Sequence, residues 1–72
     1  MRQGVIVQEL DSDRLDIRLD LDEYYGGLHC GQCFDVLIHG RWIPTRLEKR
    51  EDWYLIGIPT QGLIGLRIRI DC

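Results

Sequence analysis

The chain has 72 residues, enough for one small domain with a single core and too few for a multidomain enzyme. Hydrophobic residues make up 44% and charged residues 29% of the sequence, a balance typical of folded globular proteins and not of disordered or membrane-spanning ones. The net charge of -3 disfavours bulk electrostatic attraction to nucleic acid or to an anionic membrane.

The basic residues are concentrated in the second half of the sequence. Residues 1–35 carry three arginines against eight acidic residues, whereas residues 36–72 carry six basic residues against four acidic ones. An anion-seeking surface is therefore expected in the second half. The sequence opens on Met1-Arg2-Gln3-Gly4 without the apolar run of a secretory signal, and no window approaches the roughly 18 apolar residues of a transmembrane helix. We expect a cytoplasmic protein with no membrane partner.

The first two predicted strands form a hairpin. Residues 5–7 are apolar, and the alternation over residues 14–22 places Leu15, Ile17, Leu19 and Leu21 on one face and charged side chains on the other. Between them, Asp11-Ser12-Asp13 has the short polar side chains that favour turns.

A second hairpin is predicted around His39-Gly40, where glycine can adopt the positive φ that a two-residue turn requires. Residues 34–38 and 42–47 form its strands, and two further strands follow over residues 53–56 and 66–70. A helical periodicity does not persist anywhere in the sequence. Short antiparallel strands in so small a chain favour a bent, closed sheet, so we expect residues 1–72 to form one all-β domain, an SH3-like barrel of five to six strands.

The segment containing Cys30 and Cys33 has the spacing of a zinc knuckle, with His29, His39 or Cys72 as further candidate ligands. A second knuckle is absent, and an odd set of three cysteines is typical of reduced thiols. A redox role is disfavoured because the motif leads into a predicted strand, where no helix N-terminus lowers the thiol pKa. We expect no bound cofactor and no catalytic residue, and a zinc-supported structural domain stays as an alternative.

The second hairpin also predicts an interaction surface. Its two-residue turn sets Leu37 opposite Trp42 and Asp35 opposite Pro44, so that Phe34, Val36, Ile43 and Leu47 face the core. The opposite face then carries an aromatic, aliphatic and arginine stripe of the kind that dominates protein interfaces. Its predicted binding residues are Leu37, Trp42, Pro44, Arg46 and Tyr54. In the competing interpretation, Trp42 covers one end of the barrel or packs beneath the long loop over residues 24–32.

Nucleic-acid binding is a further alternative, because arginines are interleaved with aromatic rings that bases could stack on. The residues concerned are Arg41, Arg46, Arg50, Arg67 and Arg69, with Trp42, Trp53 and Tyr54. The acidic first half and a single lysine, Lys49, argue against it.

Two sequence blocks, YYGGLHCG at residues 24–31 and WIPTRLE at residues 42–48, are distinctive. With them, nearly the whole chain resembles a family of small uncharacterised bacterial proteins, a domain of unknown function met in Gram-positive genomes and their mobile elements. The resemblance implies a stand-alone small β domain and brings no activity, cofactor or catalytic residue. The sequence thus favours a non-enzymatic module that binds a protein or peptide, including a second copy of itself.

Overall fold

The computed structural model describes residues 1–59 and 62–71. This part of the chain contains seven strands and no helix, and so no helix that could cross a membrane. The all-β prediction is confirmed. The strands are β1 (Arg2–Gln8), β2 (Leu15–Asp20), β3 (Glu23–Tyr24), β4 (Cys33–Ile38), β5 (Arg41–Lys49), β6 (Trp53–Leu55) and β7 (Arg67–Ile70).

The strands form one antiparallel sheet in the order β3-β2-β1-β7-β4-β5-β6. Strand β1 pairs with β2 through Val5–Gln8 and with β7 through Arg2–Val5. Strand β7 also pairs with β4. The last strand therefore lies in the middle of the sheet and joins the two predicted hairpins.

The prediction of an SH3-like barrel with five to six strands is not confirmed. The sheet of the described residues has seven strands and is open, with β3 and β6 at its edges. The end of the β5–β6 hairpin contacts the β1–β2 turn through side chains and not through strand pairing. Trp53 donates from Nε1 to the Asp13 carbonyl oxygen at 2.6 Å, and the Lys49 ammonium pairs with the Asp13 carboxylate. Alternating hydrophobicity sets which side chains face inward but not which strands pair, so it did not determine closure.

The inner face of the sheet holds the core. Ile6, Ile17, Val36 and Ile68, from four different strands, are fully buried there. The rest of the buried apolar cluster comprises Leu15, Leu28, Phe34, Leu47, Leu55, Ile58, Leu63 and Ile70.

The core predictions for the two hairpins are largely confirmed. Leu15 and Ile17 are buried, and Leu19 is half-buried against the core. Leu21 is 74% exposed, contrary to expectation, because β2 ends at Asp20 and Leu21 lies in the following turn. On β4 and β5, Phe34, Val36 and Leu47 are buried as predicted, and Ile43 is half-buried against the core.

The turn of the second hairpin has the predicted geometry. His39 and Gly40 have φ values of 51° and 78°, the positive values that a tight two-residue hairpin turn requires at both positions. The predicted register follows, with Leu37 opposite Trp42 and Asp35 opposite Pro44. The side-chain faces of β4 and β5 are thereby fixed.

Asp16 anchors the loop that follows β3. Its Oδ1 accepts hydrogen bonds from the backbone N–H groups of Ile17, Gly26 and Gly27 at 2.7, 3.0 and 2.9 Å. The alternation of β2 predicts that this carboxylate faces solvent, but Asp16 is only 7% exposed. The glycine N–H groups take the place of water around it, which keeps the loop against β2.

Candidate interaction surface

Trp42 lies on the outer face of the sheet. It is opposite Leu37 across the β4–β5 ladder, and both side chains are half-buried. The core cluster and the partly buried side chains packed against it include Trp53 but not Trp42. Trp42 therefore points away from the core, the orientation that the hairpin register predicts, and not into the space beneath the loop over residues 24–32.

An arginine from β7 holds the Trp42 ring from one side. The guanidinium carbon of Arg69 is 4.7 Å from the ring centroid, a cation–π distance. Arg69 also donates from Nε to Asp35 Oδ2 at 2.8 Å, across the ladder between β7 and β4. Pro44, opposite Asp35, is exposed. We refer to Asp35, Leu37, Trp42, Pro44 and Arg69 as the Trp42 cluster.

The other predicted residues lie farther along the sheet. Arg46 pairs with Glu48 at 2.7 Å, and Tyr54 is opposite Glu48 on β6. Residues 42 and 48 of one strand are about 20 Å apart at the rise of an extended chain. The structure therefore places Leu37, Trp42 and Pro44 together. Arg46 follows two residues beyond Pro44 on the same face, about 13 Å from residue 42, and Tyr54 lies about 20 Å from it.

Sequence reasoning missed Arg69 and Asp35 as members of this surface. The alternation over residues 67–70 indicates the face that Arg69 occupies, but it does not identify β4 as the neighbouring strand. The opposite charges of Asp35 and Arg69 could have indicated that β4 and β7 pair, because opposite charges directly across antiparallel strands attract each other.

Most of the arginines proposed for nucleic-acid binding have partners within the chain. Arg46 and Arg69 are each paired with a carboxylate, of Glu48 and Asp35 respectively. Arg50 lies over the Tyr54 ring, with 5.5 Å between the guanidinium carbon and the ring centroid. Much of this positive charge is therefore engaged within the chain.

The thiols of Cys30 and Cys33 are free and exposed. Cys33 Sγ lies 3.7 Å from the Gly31 carbonyl oxygen, and His29 is also exposed. Within residues 1–59 and 62–71, no three His, Cys, Asp or Glu side chains are close enough together to hold a metal ion. Cys72, the remaining thiol, lies outside the described residues.

Two carboxyl groups with shifted pKa values lie away from the Trp42 cluster. A hydrogen bond and charge attraction from Lys49 lower the pKa of Asp13. A hydrogen bond from Arg2 lowers the pKa of Glu23, with Arg2 Nη1 2.7 Å from Glu23 Oε2. Both shifts stem from ion pairs at exposed ends of the sheet, and neither indicates an acid–base catalyst.

Comparison with known proteins identifies relatives without a named activity. A crystal structure of a protein from Ruminococcus gnavus, a target of the Northeast Structural Genomics Consortium, is 48% identical in sequence. It superposes with a TM-score of 0.90 over 96% of this chain and 100% of that chain. No curated protein matches. The family model of a domain of unknown function (DUF5348) matches residues 4–70, and the chain belongs to that family.

Proposed function

We propose that the protein is a non-enzymatic binding module that docks a protein or peptide segment on the Trp42 cluster. The observation that carries the proposal is the position of Trp42. Its ring lies on the outer face of the sheet against Arg69, and it does not belong to the core cluster. An indole in this position contributes little to folding, whereas tryptophan and arginine are the side chains that most often dominate binding energy.

The cluster is organised before any partner arrives. Asp35 fixes the Arg69 guanidinium, and Arg69 in turn lies against the Trp42 ring. Leu37 and Pro44 supply apolar surface beside them. A preorganised anchor loses little side-chain entropy on binding, which favours affinity from a small contact area. Arg46 and Tyr54 extend this surface toward β6 for a longer partner segment.

The absence of enzymatic activity is part of the proposal. The only serine, Ser12, lies in the β1–β2 turn, where its Oγ accepts a hydrogen bond from the Arg14 backbone N–H. That bond supports a structural role for the hydroxyl. The sequence resemblance suggests a bacterial protein associated with mobile elements, and the free thiols of Cys30 and Cys33 fit a cytoplasmic location.

The test is capture of a partner from native cytosol with immobilised wild-type protein and a Trp42→Ala variant at two salt concentrations. Leu10→Ala is the matched control, because Leu10 is an apolar side chain on the β1–β2 turn with 92% exposure. We expect a saturable protein partner that Trp42→Ala loses and Leu10→Ala keeps, with a much smaller loss at the higher salt than a nucleic acid would show.

Equal capture by both variants would overturn the proposal. A captured species that is nucleic acid and is released steeply by salt would overturn it in favour of the nucleic-acid alternative.

A further inference from the structure

Two arginines on the outer face stand on either side of one valine. Val5 of β1 is opposite Arg18 of β2 in one ladder and opposite Arg67 of β7 in the other. Directly opposed residues of antiparallel strands point to the same face, so the three side chains form a row across the sheet. The Cα atoms of the two arginines are about 10 Å apart across the two ladders. Two long guanidinium side chains at that separation can reach a single group above Val5.

These two arginines differ from most of the other basic side chains. Carboxylates pair with Arg2, Arg14, Arg46, Lys49 and Arg69. Among the described residues, neither Arg18 nor Arg67 has a carboxylate within 4.0 Å, and both are exposed. The sequence predicts an anion-seeking surface in its second half, but the fold brings an arginine from the first half into it.

A shallow cleft of about 320 Å³ lies over this row, lined by both arginines together with Gln3, Val5, Leu19 and Asp20. Asp20 Oδ1 accepts a hydrogen bond from the Leu21 backbone N–H, so part of its charge is directed to the backbone. The two guanidinium groups outnumber the one carboxylate at the cleft. Its apolar floor and paired cations suit one anionic group beside an apolar stem.

We propose that Arg18 and Arg67 form a clamp for an acidic side chain of the protein segment that docks on the Trp42 cluster, an inference that rests on the proposed function. Strand β7 runs antiparallel to β4 with Arg69 opposite Asp35, so Arg67 lies toward the Leu37 end of β4. One segment can therefore place an apolar residue on Trp42 and a carboxylate in the clamp. The occupant is an acidic protein segment and not a nucleic acid, because two arginines with Asp20 beside them suit one carboxylate and not a row of backbone phosphates.

The test follows the arginine Nε–Hε signals of ¹⁵N-labelled protein by NMR during titration with hexaglutamate. Hexaglutamine is the neutral control peptide, and an oligothymidine hexamer is the nucleic-acid arm. We expect hexaglutamate to shift the Arg18 and Arg67 signals saturably and to leave the Arg41 signal in place. Arg18→Gln or Arg67→Gln should weaken hexaglutamate binding about tenfold, and Arg41→Gln should not change it.

Three results would overturn the clamp. The first is an equal shift of the Arg18, Arg67 and Arg41 signals. The second is tighter binding of oligothymidine than of hexaglutamate. The third is a wild-type dimer in analytical ultracentrifugation that becomes a monomer in the double variant Arg18→Gln/Arg67→Gln. The wild-type titration decides the question even if a variant fails to fold. If only the clamp is wrong, hexaglutamate does not bind at Arg18 and Arg67, but capture of the partner still requires Trp42. If the proposed function is wrong, Trp42→Ala captures as much as the wild-type protein, whatever the hexaglutamate titration shows.

Discussion

The Arg69 guanidinium lies against the Trp42 ring, with 4.7 Å between the guanidinium carbon and the ring centroid. These two residues come from β7 and β5, and Asp35 on β4 holds the arginine between them. The contact therefore exists only when β7 has paired with β4 in the middle of the sheet. The hairpin alone presents a tryptophan, and the complete sheet fixes its ring.

Trp42→Ala should lower the free energy of unfolding by only about 1 kcal/mol, because it removes a cation–π contact and partial burial but no core packing. Trp53→Ala should cost about 2 to 4 kcal/mol, since this ring packs against the core and its Nε1 donates to the Asp13 carbonyl oxygen. Chemical denaturation of both variants checks the difference. A larger loss for Trp42→Ala than for Trp53→Ala would show that the assignment of Trp42 to the outer face is wrong.

Gly4→Ala should destabilise the fold by at least about 2 kcal/mol. A Cβ atom at this position would lie 2.5 Å from Ile17 Cγ2 and 2.6 Å from the Arg18 carbonyl oxygen, and the backbone oxygen cannot move without disturbing β2. Gly62→Ala is the matched control, because an added Cβ there meets no described atom within 4 Å. Thermal unfolding of both variants measures the effect, and equal melting temperatures would contradict it.

The second hairpin was predictable because its geometry is local. A two-residue turn at His39-Gly40 leaves one register for the strands on either side, and that register assigns Trp42 to the outer face. The position of β7 was not predictable in this way. Its partners β1 and β4 are distant in sequence, and no short-range signal selects them. The Arg69 contact and the Arg18–Arg67 row both depend on that non-local pairing.

Ile17→Ala should cost about 2 to 5 kcal/mol, because Ile17 is fully buried in the core. Leu21→Ala should change stability by less than about 0.5 kcal/mol, since Leu21 is 74% exposed. Periodicity places both residues on one face, and only the end of β2 at Asp20 separates them. Urea denaturation of the two variants measures their free energies of unfolding. Similar losses for both would favour the sequence prediction, in which β2 continues through Leu21.

Asp16→Ala should destabilise the fold by about 3 kcal/mol, because it removes a buried carboxylate that accepts three backbone hydrogen bonds. Asp16→Asn keeps an acceptor oxygen without the charge and should cost about half as much. Amide hydrogen exchange at Gly26 and Gly27 should accelerate in both variants, more in the alanine one. Unchanged exchange at these two amides would exclude Asp16 as the anchor of the loop.

The ion pair between Lys49 and Asp13 should make stability depend on pH. Lys49 lowers the pKa of Asp13 in the folded chain, so the pair stabilises the fold above the ordinary aspartate pKa and loses this effect as the pH falls through the folded-state pKa. In Lys49→Gln, the pKa of Asp13 should rise toward the ordinary value in an NMR carboxyl titration. The stability difference between the two proteins should narrow in acid without vanishing, because the Lys49 ammonium also lies 5.0 Å from the Trp53 ring centroid. Glu23 is the control, because Arg2 and not Lys49 lowers its pKa, and it should titrate identically in both proteins. If the pKa of Asp13 were also the same in both proteins, the ion pair would be absent in solution.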